Sequence, residues 1–203
     1  MARAFEELFG IPDAFRGILM PGRTDSAILA DALAAHEVST ADVRRFREVY
    51  LTHLAVELDK PGPRKGVMPG VRPLLDALTL RPDVYLGLLS GNYERAARLK
   101  LEYFDLWRYF RCGAFGDDAP ERNGLLPQAL AHIRACGGPA AAPSETVVIG
   151  DTPLDIACAA ASGARSVAVA TGGYDATTLR ASGADIVFAD LQDRDAVLAA
   201  LDV

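Results

Sequence analysis

The chain has 203 residues, half of them hydrophobic, and a formal net charge of −6. This composition predicts one sizeable globular domain, with room for a smaller subdomain. The acidic balance argues against nucleic acid as a partner, because nucleic-acid-binding domains present clustered basic residues. No apolar run approaches the ~20 residues that a membrane-spanning helix needs. We therefore expect a cytoplasmic protein, monomeric or dimeric, that binds neither nucleic acid nor a membrane.

The cysteines support the same compartment. Cys112, Cys136 and Cys158 cannot all pair within one chain, and their spacing does not fit a metal knuckle. We interpret them as small apolar residues in a reducing compartment. The first ten residues, MARAFEELFG, contain acidic residues where a signal peptide has an apolar core.

The first part of the chain has helical periodicity throughout. Apolar residues at helical spacing predict a helix that ends at Gly10, a second helix over Ser26–Ala35, and a third that begins near Ser39 and extends to Leu58. No strand pattern occurs in this part of the sequence. We therefore predict an all-helical cap over residues 1–65 and an α/β core domain over residues 66–203. The segment from Asp59 to Pro73 is rich in proline and glycine, which is typical of a hinge.

The rest of the chain alternates short apolar runs with helical segments. The predicted strands are Val84–Ser90, Gly113–Phe115, Thr146–Ile149, Ser166–Ala170 and Ile186–Phe188. Such alternation favours βαβ units and a parallel sheet. Right-handed crossovers then make a doubly wound sheet the expected topology.

Two carboxylates follow the buried strand Thr146–Ile149 at its carboxyl end, where open α/β sheets bind ligands. Asp151 and Asp155 are one helical turn apart, and Mg²⁺ prefers oxygen ligands of this kind. Asp151 is the predicted metal ligand, and Asp155 shares the site or orients its waters. The structural alternative is that Asp151 or Thr152 caps a helix that begins at Pro153.

A second group of polar residues follows the strand Val84–Ser90. Ser90, Gly91 and Asn92 place a hydroxyl and a glycine at a helix N-terminus, an arrangement suited to binding phosphate. A helix cap with a tight turn is the structural alternative. Arg122, in the polar loop before the helix at Leu125, is a candidate to neutralise a phosphate and a nearby carboxylate, or else an exposed loop arginine.

The predicted cap contributes a third polar stretch. Arg23, Thr24 and Asp25 follow Gly22 in a loop that is polar enough to close over a substrate. These three residues are candidates for substrate binding, although Asp25 also suits a helix cap.

In order and spacing, these stretches resemble the haloacid dehalogenase-like hydrolase superfamily, in its phosphoglycolate phosphatase-like branch with a helical cap. The matching stretches are GRTD (22–25), MPGVRPLLDAL (68–78), LLSGNYERAARLKLEYFDL (88–106) and VVIGDTPLDIACAAASGARSVAVATGGY (147–174). The resemblance implies that Ser90 binds the transferring phosphoryl group with the help of Asn92, and that Asp151 binds Mg²⁺ with support from Asp155. The family usually has a lysine before the helix at Leu125, and Arg122 is the candidate here. Lys100 is a weaker one.

One family element does not match. Relatives begin with a central strand that ends in Asp-x-Asp, whose first aspartate is the nucleophile and whose second is the general acid/base. No such motif occurs near the start of this sequence, which opens in what resembles the first cap helix. We expect that the natural polypeptide starts upstream of Met1. The alternatives are that another segment or chain fills the gap, or that the fold is rearranged.

The predicted function is a Mg²⁺-dependent phosphatase that acts on a small phosphorylated metabolite through an aspartyl-phosphate. As written, the 203 residues are expected to be inactive for want of the nucleophile. The alternative is a phosphate- and metal-binding module without catalysis. A dehalogenase and a nucleotide-binding Rossmann domain are less favoured, because the polar stretches fit phosphate better and no GxGxxG follows a strand.

Overall fold

A computed structural model describes residues 1–62 and 65–203 of the protein. Its α-helices are α1 (Ala2–Phe9), α2 (Asp25–Ala35), α3 (Val43–Asp59), α4 (Val71–Thr79), α5 (Glu94–Tyr103), α6 (Leu125–Ala135), α7 (Pro153–Ser162), α8 (Ala176–Ala181) and α9 (Arg194–Ala200). Its strands are β1 (Gly87–Leu89), β2 (Cys112–Ala114), β3 (Val147–Gly150), β4 (Arg165–Val169) and β5 (Ile186–Phe188). Short 3₁₀ turns occupy Thr40–Asp42, Trp107–Tyr109, Arg122–Gly124 and Pro143–Glu145.

Residues 1–60 contain α1, α2 and α3, joined by turns and loops, and no strand, as predicted. Gly10 ends α1 in the left-handed conformation at φ 69°, and the Thr24 hydroxyl begins α2 by accepting a hydrogen bond from the backbone N–H of Ala27. The core of this part is aromatic, with Phe5 and Phe46 fully buried. The same core includes Tyr93 at the start of α5, so the N-terminal helices pack directly on the α/β part.

The strands pair in parallel, as predicted, and helices cover both faces. β4 lies between β3 and β5, and its side chains alternate between the two faces. Val167 and Val169 pack in one cluster with α4 and α9, whereas Ala168 packs with α7 and α8 on the opposite face. This arrangement confirms the doubly wound α/β architecture.

The described strands form two sheets rather than one. β1 pairs with β2, and β3–β4–β5 form the second sheet, so that β1 and β3 each have a strand on one side only among the described residues. Ile149, in the middle of β3, is 40% exposed. A central strand of a parallel sheet is normally buried on both faces and paired on both sides. The break between the two sheets therefore lies between β1 and β3. This is the position expected for the first strand of the family, whose Asp-x-Asp motif has no match near the start of this sequence.

Two predicted boundaries differ from the structure. The strand predicted from Val84 is limited to β1, because Val84 and Leu86 precede the paired segment and pack beside α4 and α9 instead. Helix α4 begins at Val71, after the left-handed Gly70, so it starts before the end of the hinge predicted to extend to Pro73. The predicted hinge includes residues 63 and 64, which lie outside the described residues, and the division into two domains at 65/66 stays a prediction.

The prediction that all three cysteines are unpaired is wrong. Cys112 in β2 and Cys136 at the end of α6 form a disulfide, with their Cα atoms 6.6 Å apart, and Cys158 alone is free and buried. The two cysteines are 24 positions apart in the sequence, and the packing of α6 against β2 brings them together. Within the described residues, no helix combines the length and the apolar character needed to cross a membrane.

Candidate functional site

The carboxyl ends of β1 and β3 open into one cleft of about 480 Å³. Its walls include the predicted residues Ser90, Gly91, Asn92, Arg122, Asp151, Asp155, Arg23 and Asp25. Residues that the sequence separates by dozens of positions therefore meet at one edge, as the strand-end argument predicted. Thr24 is not among the lining residues.

The loop after β1 is organised around Ser90. The backbone N–H of Ser90 donates to the carbonyl of Ala114 at 2.9 Å, which continues the β1–β2 pairing by one residue. The Ser90 hydroxyl accepts a hydrogen bond from the backbone N–H of Asn92 at 3.2 Å. The hydroxyl is therefore held at a fixed position in the loop between β1 and α5, at the wall of the cleft.

The glycine in this loop is required by close packing. A Cβ at Gly91 would lie 2.3 Å from the carbonyl oxygen of Arg23 and 3.1 Å from Nη1 of Arg122. A Cβ at Gly22, in the predicted cap, would lie 2.5 Å from the hydroxyl of Thr152. The loops around positions 22, 91 and 152 thus touch one another at the cleft, with no room for larger residues at the two glycines.

Arg122 is not the exposed loop residue that was its structural alternative. Its side chain is 13% exposed, forms an ion pair with Asp155 and donates to the carbonyl of Gly22 at 3.1 Å. Nε of Arg122 is buried and has no hydrogen-bond partner among the described residues. A buried donor without a partner costs free energy, so the guanidinium retains capacity for an anionic ligand in the cleft.

Most hydrogen bonds of the Asp155 side chain stabilise the loop after β3. Its Oδ2 accepts hydrogen bonds from Thr152 N at 3.0 Å, Thr152 Oγ1 at 2.8 Å and Asp151 N at 3.2 Å, while Oδ1 pairs with Arg122. Thr152 and Asp155 together form a capping box at the start of α7. The capping alternative is therefore observed for Thr152, and Asp155 fixes the position of its neighbour Asp151.

The Asp151 side chain is the more accessible of the two carboxylates. Loss of water around its carboxyl and, to a smaller extent, the negative charge of Asp155 raise the pKa of Asp151. A Cβ at Gly172 would lie 2.1 Å from Oδ2 of Asp151, so the loop after β4 closes directly on this carboxylate. Gly172 was not among the predicted site residues. The feature of the sequence that could have identified Gly172 is its position in the loop after the predicted strand Ser166–Ala170, next to a second glycine.

The cap loop is turned inward. Thr24 is 1% exposed, and its hydroxyl donates to the carbonyl of Pro120 at 2.6 Å. Asp25 is 4% exposed and accepts hydrogen bonds from the backbone N–H of Tyr93 at 2.9 Å and from the Asn92 amide at 3.3 Å. Both residues thus join the N-terminal helices to the α/β part. Their predicted role in contacting substrate stays a prediction.

Arg23 and Lys100 are the other cationic side chains on the cleft wall. Arg23 pairs with Asp31 at 2.6 Å. Nζ of Lys100 donates to Oδ1 of Asn92 at 2.9 Å, and burial lowers the pKa of Lys100 while the charge of Asp25 opposes that shift. The described residues contain no group of three or more His, Cys, Asp or Glu side chains arranged to hold a metal ion.

Comparison with known proteins gives consistent results. Residues 123–194 match a family model described as HAD-hydrolase-like. The phosphoglycolate phosphatase of Chromobacterium violaceum is 34% identical over 144 residues, which are 71% of this chain and 57% of that protein. The chain thus spans a little over half the length of the curated relative that it matches.

Solved structures share the fold. CbbY from Rhodobacter sphaeroides, in complex with phosphate, superposes with a TM-score of 0.70 at 16% identity, covering 100% of this chain and 91% of that one. A hydrolase from Pseudomonas syringae superposes with a TM-score of 0.66 at 22% identity, covering 98% and 89%. The solved structures show the shared fold, and the family model and the curated relative show that the chain belongs to the haloacid dehalogenase-like hydrolase superfamily, in its phosphoglycolate phosphatase-like branch.

Proposed function

We propose that the cleft binds the phosphoryl group of a small phosphorylated metabolite, in a site built for phosphomonoester hydrolysis. One observation carries the proposal: Ser90, Arg122 and Asp151 line the same cleft although they belong to three separate segments of the chain. A hydroxyl, a guanidinium and a carboxylate together provide a hydrogen bond, a positive charge and a cation ligand. Phosphoryl transfer depends largely on such positioning and charge neutralisation.

The phosphate position follows from the donors. Ser90 lies in the loop between β1 and α5 and lines the cleft, and Arg122 has a buried Nε without a partner among the described residues. Arg122 is held by Asp155 and by the carbonyl of Gly22, so it is ordered before any ligand binds. A preorganised guanidinium loses less side-chain entropy on binding and can donate hydrogen bonds to two phosphate oxygens at once.

Asp151 suits Mg²⁺ better than Asp155 does. Asp155 already accepts three hydrogen bonds and an ion pair, whereas the carboxylate of Asp151 faces the cleft beside a second negative charge. Mg²⁺ commonly keeps several waters and takes one or two carboxylates, so this limited donor set is compatible with it. When bound there, Mg²⁺ would supply positive charge opposite the phosphoryl oxygens.

The nucleophile is not assigned to a described residue. Asp25, Asp151 and Asp155 are the carboxylates that line the cleft among the described residues, and each has a role proposed above. By the family resemblance, the nucleophile is the first aspartate of an Asp-x-Asp strand, and its expected position is between β1 and β3. A module that binds phosphate and Mg²⁺ without hydrolysis is the alternative function.

Two measurements test the proposal. Isothermal titration with inorganic phosphate, in the presence of Mg²⁺, is expected to show binding that weakens about ten- to a hundredfold in Ser90→Ala, since a hydrogen bond to a charged group contributes ~1.5–3 kcal/mol. Ser182→Ala is the matched control, because that hydroxyl lies at the end of α8 and, among the described residues, donates to the carbonyl of Thr178 on the same helix. Phosphate release from phosphoglycolate, chosen from the relative's name, is measured in parallel.

The outcomes separate the two functions. Phosphate binding that depends on Ser90, together with phosphate release that Asp151→Asn abolishes, supports the hydrolase. Binding that depends on Ser90 without release supports the binding module for the 203 residues given, among which no nucleophile is assigned. If phosphate does not bind, or binds equally well to Ser90→Ala, the cleft is not a phosphate site and the proposal fails.

A further inference from the structure

Lys100 places a positively charged side chain in the cleft. The phosphate position proposed above, at Ser90 and Arg122, does not involve this side chain. The residue lies on α5, its side chain lines the cleft, and its Nζ donates to Oδ1 of Asn92 at 2.9 Å. An ammonium group has three N–H donors. Among the described residues this is its one side-chain hydrogen bond, so donors remain for a ligand.

The other cationic side chains of the cleft are already matched with carboxylates. Arg23 pairs with Asp31, and Arg122 pairs with Asp155. Lys100 has no ion pair within 4.0 Å among the described residues, although the buried carboxylate of Asp25 lies near enough to influence it. The hydrogen bonds to Asp25 come instead from the backbone of Tyr93 and the amide of Asn92.

Burial makes this charge costly unless an anion accompanies it. Desolvation lowers the pKa of Lys100, and the attraction of Asp25 offsets that effect only in part. A ligand anion at Nζ would replace the water that the ammonium has lost. The N-terminal part of the chain contributes mainly apolar and aromatic side chains to the cleft wall, alongside Arg23 and Asp25; these side chains are Phe15, Met20, Ile28 and Tyr50.

Asn92 joins Lys100 to the phosphate position. Its backbone N–H donates to the hydroxyl of Ser90 at 3.2 Å, and its side-chain oxygen accepts from Lys100. The amide nitrogen of the same side chain donates to Asp25, which fixes the orientation of the amide. A single residue thus separates the two anion-binding groups, so a ligand that reaches both must be short.

We propose that Lys100 binds a second anionic group of the substrate, a carboxylate or a second phosphate, and so selects small metabolites that carry two anionic groups. This inference rests on the proposed function, because the phosphoryl group must occupy the position at Ser90 and Arg122. Lys100 is then a specificity-determining residue that contacts the part of the substrate that is not transferred.

Equilibrium binding tests the inference without requiring turnover. The ligands are phosphoglycolate, 2-hydroxyethyl phosphate as its neutral counterpart, a short bisphosphate, and inorganic phosphate, each titrated calorimetrically. The wild-type chain is expected to bind phosphoglycolate or the bisphosphate about ten- to a hundredfold more tightly than 2-hydroxyethyl phosphate, and the stronger of the two identifies the second anion. Lys100→Met should remove that preference and change the affinity for 2-hydroxyethyl phosphate less than about threefold, whereas Lys100→Arg should keep part of it.

Arg98→Met is the matched control on the same helix. Arg98 is exposed and pairs with Glu102, so its removal should leave every affinity unchanged. An unchanged preference in Lys100→Met would overturn the inference, as would an equal loss of affinity for the charged and neutral esters, which would mean that Lys100 only supports the loop. If inorganic phosphate fails to bind the wild-type chain, the proposed function fails first. Normal phosphate binding with no preference for two anions refutes the Lys100 inference alone.

Discussion

Asp155→Ala is expected to be among the most destabilising single substitutions near the cleft. The carboxylate accepts three hydrogen bonds from the loop after β3 and pairs with Arg122, and both side chains of the pair are largely buried, at 6% and 13% exposure. Removing one partner of a buried ion pair typically costs ~3–5 kcal/mol, because the other charge stays buried without compensation. For a domain of this size, that loss lowers the melting temperature by about 6–20 °C, at ~2–4 °C per kcal/mol.

A double-mutant cycle separates the ion pair from the helix cap. Arg122→Met removes the charge that Asp155→Ala would leave unpaired, so the double variant should be more stable than the sum of the single effects predicts, by ~1–3 kcal/mol. Thr152→Ala keeps the ion pair and removes the capping hydroxyl, with an expected cost of ~1 kcal/mol. Urea unfolding followed by circular dichroism measures all four. If Asp155→Ala lowers the free energy of unfolding by less than ~1 kcal/mol, or if the effects of Asp155→Ala and Arg122→Met are strictly additive, the buried ion pair does not stabilise the fold as proposed.

Three further outcomes are expected. Gly91→Ala should lower the free energy of unfolding by ~1–3 kcal/mol, because its Cβ would lie 2.3 Å from the Arg23 carbonyl oxygen; Gly173→Ala, which meets nothing within 4 Å, is the control, and equal stability of the two variants would contradict the packing argument. Hydrogen bonds from the backbone and hydroxyl of Ser166 lower the pKa of Asp185 below 3.8, so the stability that this carboxylate provides is present above pH 3.8 and is lost as the pH falls through the lower folded-state pKa. The difference in urea midpoint between wild type and Asp185→Asn should therefore shrink from pH 7 to pH 3, and a constant difference would argue against this linkage. Alkylation of the unfolded, unreduced chain should modify one of the three cysteines, and modification of all three would exclude the disulfide.

The secondary structure followed from local patterns. The apolar spacing of the first sixty residues, with Gly10 at the end of the first helix, predicted the N-terminal helices, although the observed cap of α2 is Thr24 rather than Asp25. The alternation of short apolar runs with helices predicted the parallel strands. The largest local error concerned the run from Val84, whose first residues pack against helices rather than pairing with β2. Apolar character indicates burial, but it does not say whether a partner strand extends that far.

The candidate site was predictable in part for a topological reason. Parallel strands end at one edge of a sheet, so residues that directly follow them are expected to lie close together. This topology places Ser90 and Asp151 in one cleft. The positions of side chains on other segments do not follow from it. The ion pair of Arg122 with Asp155 and the contact of Lys100 with Asn92 depend on how helices and loops pack around that edge.

Local patterns along the chain suffice to predict the element types, the order in which strands and helices follow one another, the family resemblance, and the edge of the sheet where polar residues gather. The packing of the whole fold was needed to show that Cys112 and Cys136 pair, that Thr24 and Asp25 are buried, and that β1 and β3 belong to separate sheets in the described part of the chain. The physical reason is the range of the interactions. Periodicity and capping act within a few residues, whereas a disulfide, a buried hydrogen bond or a strand pairing joins distant residues whose approach is set by packing of the whole domain.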